Sequence, residues 1–160
     1  MPEALRASSR PPDGLAEVTL WDLSSSDDLA RIRRSLHAEL LRRGEVDSAL
    51  LSDLQDRVVL VVSELATNAL RHGAPPSAVR LLVDDERSCA VDVTDTAADA
   101  SPELAGERPL GEGGFGMHLA ARLADGVGWY VSDDVKHVWA RFALDGPDTD
   151  ARTAAAAPVL

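Results

Sequence analysis

At 160 residues the chain has the length of one domain with an ordinary core, and 45% hydrophobic residues are too many for a disordered polymer. The 16 basic and 27 acidic residues leave a net charge of -11, which repels phosphate backbones and anionic membranes and argues against nucleic acid or a membrane as partner. Any phosphate group must then be held locally, by backbone N–H groups or a metal ion.

The first 14 residues, MPEALRASSRPPDG, are rich in Pro, Ser and Arg and are expected to form a disordered arm. They lack the apolar stretch of a secretory signal. The longest apolar runs, such as 58–62, fall far short of the ~20 residues that cross a bilayer, so a soluble, cytoplasmic protein is expected. The folded domain is expected over 15–145. Val18, Leu20 and Trp21 mark a first strand at 16–23. Ser24, Ser25, Ser26 and Asp27 offer N-caps for a helix to Arg43, with Leu29, Ile32, Leu36 and Leu40 on one side and Gly44 at its end.

A second helix runs from Asp47 to Arg71, with Leu54, Val58, Val61, Val62, Leu65 and Ala69 in one stripe. His72-Gly73 followed by Pro75-Pro76 stops it. Two β-like runs, 78–83 and 90–94, read as a hairpin joined by 84–87. Cys89, the only cysteine, falls in this region and reads as a buried structural thiol, with no disulfide or cysteine-based metal cluster available. Residues 95–114 are loop-like, a third helix covers 115–124, and strands near 129–131 and 136–144 close the domain. Trp129 and Trp139 read as core residues of those strands. The tail, 146–160, is expected to be disordered. This order suggests an α/β (α+β) two-layer sandwich, with helices on one face of a mixed, mainly antiparallel sheet.

Three features carry chemistry. Glu64, Asn68 and His72 are spaced by four, each about 40° further round the second helix. Asn68 sits at the border of the apolar stripe, where its carbonyl oxygen suits Mg²⁺, and Glu64 could orient a water or accept a proton from an attacking hydroxyl. An amphipathic helix with a polar flank is the bland alternative. Gly111-Glu-Gly-Gly-Phe-Gly116 leads into an apolar helix, and its glycines would let the backbone approach a phosphate; an unliganded turn explains it as well. A dinucleotide fold is disfavoured because no strand runs directly into it. Asp95 follows an apolar run, where a carboxylate could accept from an exocyclic amine such as that of adenine, or simply form a turn.

Together these segments (VVLVVSELATNALRHG at 58–73, then Asp95, GEGGFGMHLAARLAD at 111–125 and KHVWARF at 136–142) resemble the GHKL, or Bergerat, ATP-binding fold over about 16–144. Within it, the match is closest to the serine-kinase anti-sigma factors and related regulators of Gram-positive bacteria. The resemblance implies ATP and Mg²⁺ as cofactors, Glu64 as catalytic base, Asn68 as Mg²⁺ ligand and Asp95 as the adenine contact. It makes Gly111, Gly113, Gly114 and Gly116 the phosphate loop and 97–110 a mobile lid. The implied partners are a sigma factor and an anti-sigma factor antagonist, which the kinase would phosphorylate on serine; a homodimer through the sheet is also implied.

His72 matches a recurrent residue whose job is to end the helix. Against the family pattern, Asp95 is followed by Thr96-Ala97 where Asp-x-Gly or a proline is common, which makes Asp99 a rival. Phe115 stands where many relatives have Arg, with Arg108 the nearest substitute. His137 stands where a small hydroxyl residue would line the base pocket. A non-catalytic partner-switching module, with nucleotide optional, is the alternative function. A metabolic enzyme ranks below both, and no dimerising helical hairpin with a phospho-accepting His supports a histidine kinase.

Overall fold

The computed structural model describes residues 9–43, 48–84, 88–98 and 115–143. The elements run β1 (Ala16–Leu23), α1 (Ser26–Arg43), α2 (Ser48–His72), β2 (Ser77–Val83), β3 (Ser88–Asp95), α3 (Phe115–Leu123), β4 (Gly126–Ser132) and β5 (Val135–Ala143). The five strands form one sheet in the order β1-β2-β3-β5-β4, and every described pairing is antiparallel. All three helices pack on one face of it.

Alternation along the strands explains that packing. Val79 and Leu81 of β2, Cys89, Val91 and Val93 of β3, and Val138, Ala140 and Phe142 of β5 all point at the helices and are buried. The helices answer with the stripes that their spacing predicts: Leu29, Ile32, Leu36 and Leu40 from α1, and Leu54, Val58, Val61, Val62, Leu65 and Ala69 from α2. Each fully buried Val or Leu contributes about 1.5–3 kcal/mol, so these stripes hold the two layers together. Gln55 adds a polar tie, donating to the His37 carbonyl of α1 at 3.0 Å.

The start of α1 is fixed by a reciprocal cap. The Ser25 hydroxyl accepts from the Asp28 N–H at 3.4 Å, and the Asp28 carboxylate accepts from the Ser24 N–H at 2.8 Å. That backbone hydrogen bond from Ser24 holds the Asp28 carboxyl below its ordinary value. The β2–β3 hairpin is closed similarly, with Asp84 accepting from the Ser88 N–H and hydroxyl, each at 2.7 Å. Asp133 and Asp134 turn β4 into β5 with φ of 53° and 63°, the left-handed pair that a tight hairpin requires.

Among the described residues the other face of the sheet carries no helix, and part of what lies on it departs from expectation. Trp139 is buried as expected, but on this face and outside the helix-facing cluster, against which Trp21 and Trp129 pack. The Trp139 indole lies across β4 in a trough made by Gly126 and Gly128. A Cβ on residue 128 would stand 2.7 Å from Trp139 Cζ2, so glycine is required there. Across this trough Trp139 Nε1 donates to the Ser9 carbonyl at 2.7 Å, while the Ser9 N–H donates to the Trp129 carbonyl at 2.8 Å. Arg10 then lies over the Tyr130 ring, 4.5 Å from its centroid. Residues 9 and 10, placed by sequence in a disordered arm, are thus held against the sheet. The 146–160 tail lies outside the described residues.

Candidate functional site

Glu64 and Asn68 lie half-buried on one flank of α2. Arg57, on the same flank, donates to the Leu123 carbonyl at 3.0 Å, which sets the last turn of α3 beside the first half of α2. The two helices run in opposite directions. α2 ends at His72, next to Asp95 at one end of the sheet, whereas Asp125, just after α3, bonds Arg141 at the other end. Eight steps of 1.5 Å carry α3 back ~12 Å from Leu123 to its first residue. That start is therefore level with the turn of α2 holding Glu64 and Asn68, and its first N–H groups, which have no partner within the helix, open towards the same end of the domain. Gly116 is the second residue of α3. Gly111, Gly113 and Gly114 lie outside the described residues, as do Asp99 and Arg108.

Asp95 is the last residue of β3 and only 2% exposed. Its side chain organises the junction between sheet and helix. Oδ1 accepts from the Ala97 N–H at 2.7 Å and, at 3.5 Å, from the Ala74 N–H. Thr96 closes the turn by donating its N–H to the Ala74 carbonyl and its hydroxyl to the Pro75 carbonyl, both at 2.8 Å. Gly73, bonded to the Ala69 carbonyl at 3.0 Å, ends α2 directly beneath the carboxylate. Asp95 is thus a strand residue with a fixed carboxylate, and not a free turn residue.

Sequence reasoning missed Lys136. It pairs with Asp95 in the β3–β5 register, points at the helix layer and is 7% exposed. Its Nζ stands 3.5 Å from Asp95 Oδ2. His137, expected beside the base pocket, is on the opposite face of the sheet because strand side chains alternate. There its Nδ1 is 2.8 Å from Asp92 Oδ2, and its ring stacks on Tyr130 at 4.4 Å. Arg80 also bonds Asp92 and reaches Glu17 at 3.2 Å. Burial alone would lower the Arg80 pKa, but the Asp92 charge and the hydrogen bonds to Asp92 and Glu17 raise it above its ordinary value. Burial, then the Asp92 charge, pushes the Tyr130 phenol up. This outer cluster borders a cavity of about 410 Å³ lined by Arg10, Thr94 and Ser132 among others. It lies at the same end of the sheet as Asp95 and Lys136 but on the opposite face.

Among the described residues no group of three His, Cys, Asp or Glu could hold a metal. The donor set at the α2 flank, one amide oxygen with a carboxylate one turn away, fits a Mg²⁺ held mainly by phosphates and waters. It does not fit a cation caged by protein.

An antiparallel sheet with helices on one face, and a helix pair, a helix start and a strand-end carboxylate gathered at one end, define a Bergerat-type nucleotide-binding sandwich. The family model described as the histidine kinase-like ATPase domain matches residues 23–142, and the chain belongs to that family, within the GHKL class of ATP-binding domains. No curated protein matches the chain. Among the described residues, no helix is long and apolar enough to cross a membrane.

Proposed function

We propose that this chain binds Mg-ATP between α2 and α3 and acts in the cytoplasm as an anti-sigma-factor-type serine kinase. Its substrate would be an anti-sigma factor antagonist, and its other partner a sigma factor that it sequesters. The observation that carries the reading is the opposed run of α2 and α3, which brings the half-buried Glu64 and Asn68 level with the start of α3. Asn68 would hold the Mg²⁺ that neutralises charge on the phosphates. Glu64 would accept the proton of the attacking serine hydroxyl as its oxygen bonds the γ-phosphorus and ADP leaves. The phosphate cradle would come from 111–116 and the amine contact from Asp95.

The test is calorimetric titration of ATP into the chain with and without Mg²⁺, repeated on Asn68→Ala. Metal-dependent binding that Asn68→Ala abolishes is the expected result, and Glu64→Gln should then retain ATP while losing transfer to an antagonist. Absence of binding at millimolar ATP would overturn the reading.

One observation favours the alternative, a non-catalytic partner-switching module with nucleotide optional. The Asp95 carboxylate already has an ion-pair partner in Lys136 and two backbone donors. Under that reading Glu64→Gln leaves partner control intact. A homodimer through the sheet remains part of the proposal, and sedimentation at micromolar concentration tests it.

A further inference from the structure

Asp95 and Lys136 form a pair of opposite hydrogen-bonding character on one rigid surface. They are directly opposed residues of adjacent strands, so their separation is set by the sheet and not by a loop. A carboxylate only accepts, and an ammonium only donates. Oδ1 of Asp95 is engaged by the Ala97 N–H at 2.7 Å. Oδ2 meets Lys136 Nζ at 3.5 Å, longer than a direct hydrogen bond of about 2.7–3.2 Å. Oδ2 therefore takes no short hydrogen bond from this ammonium, which carries three N–H donors.

An acidic residue alone would select a base edge with an amine and repel one with a carbonyl oxygen. An acceptor beside a donor has no such preference. A 6-aminopurine presents its amine to Asp95 and the unprotonated N1 to Lys136. A 6-oxopurine, turned over, presents its N1–H to Asp95 and its carbonyl oxygen to Lys136. Both arrangements give two charge-assisted hydrogen bonds.

We propose that Lys136 is a base-reading residue beside Asp95, and that it opens the site to 6-oxopurine as well as 6-aminopurine nucleotides. The inference rests on the nucleotide reading of this end of the domain. Its physical basis is that a lysine buried among Val93, Val138 and the helix layer is costly to desolvate, at a strand position where an apolar residue would continue the core.

The experiment compares ATP with inosine triphosphate by calorimetry, first on the unaltered chain and then on Lys136→Met and Lys136→Arg. The expected result is that the unaltered chain binds the two within about tenfold of each other. Lys136→Met should weaken inosine triphosphate by about tenfold or more relative to ATP, in line with loss of one charged hydrogen bond, and Lys136→Arg should restore the ratio. More than tenfold discrimination against inosine triphosphate by the unaltered chain overturns the proposal, and needs no variant to fold. So does a Lys136→Met chain that weakens both nucleotides equally. Failure of the unaltered chain to bind ATP is a different result, which overturns the nucleotide reading and this inference with it.

Discussion

The Cα of Gly73 lies so close to Asp95 that a Cβ there would stand 2.6 Å from Asp95 Cγ and 2.7 Å from Oδ2. The helix stop and the strand-end carboxylate are therefore one packed unit. Gly73→Ala must push the carboxylate away or unwind the last turn of α2. It is expected to cost about 1–3 kcal/mol in urea unfolding, as overpacking does, and to weaken ATP by tenfold or more in the same preparation. A variant with unaltered unfolding midpoint would show that the two elements are not coupled.

The outer face should respond differently. Asp92 is buried, bonded by Arg80 and His137 through Oδ2, and its Oδ1 has no hydrogen-bond partner among the described residues. Asp92→Ala leaves Arg80, whose side chain is a quarter exposed, with Glu17 as its remaining partner at 3.2 Å, so the loss falls at the low end for a broken buried pair, about 3 kcal/mol. Chemical denaturation measures it. Nucleotide affinity of the folded fraction should stay unchanged, because the sheet separates this cluster from Asp95.

Gly128→Ala sets a methyl group against Trp139 Cζ2 and, at 2.9 Å, the Ser9 hydroxyl. The indole should lift and release the Ser9 carbonyl. Tryptophan emission is then expected to shift to the red, and proteinase K, which has broad specificity, to cut the 9–15 segment at least several-fold faster than in the unaltered chain. Equal cleavage rates would mean that Ser9 is not held by the indole.

Burial, with a smaller contribution from the Asp84 charge, pushes the Cys89 thiol up from 9.0 to about 12. Because the folded value is raised, the unfolded chain ionises first as pH climbs. The stabilisation is complete below pH 9 and is lost as pH rises towards 12. The unfolding free energy from urea titration should fall between pH 9 and 11, by about 2 kcal/mol for this thiol, and Cys89→Ala should flatten that part of the profile. Below pH 9 the native thiol should resist alkylation.

The helices were legible because one solvated and one buried side leave a plain 3.6-residue signal. Leu29, Ile32, Leu36 and Leu40 are all buried as their spacing predicts. Glu64 and Asn68 were placed on a flank of α2 by the same angular argument. Strand β5 was harder. Val138, Trp139 and Ala140 are apolar and buried in succession, so the alternation that separates the two faces is blurred, and the sequence does not tell that Lys136, and not His137, faces the helix layer. The Arg80–Asp92–His137 cluster draws on three strands, and no local pattern announces it. Trp139 is buried as its size and strand position suggest, but these do not reveal that two glycines make room for it on the far side.

The tether at Ser9 also sets a length. It is fixed at β4, one edge of the sheet, and Ala16 opens β1 at the other. Four inter-strand gaps of about 4.8 Å put those edges about 19 Å apart, and seven residue steps reach at most about 25 Å. Pro11 and Pro12 help keep part of the connection extended, and a turn at 13–14 takes up the remaining length. Loss of two residues would cut the reach to about 18 Å and remove that slack, so the number of residues between Ser9 and Ala16 is as much a part of the architecture as their identity.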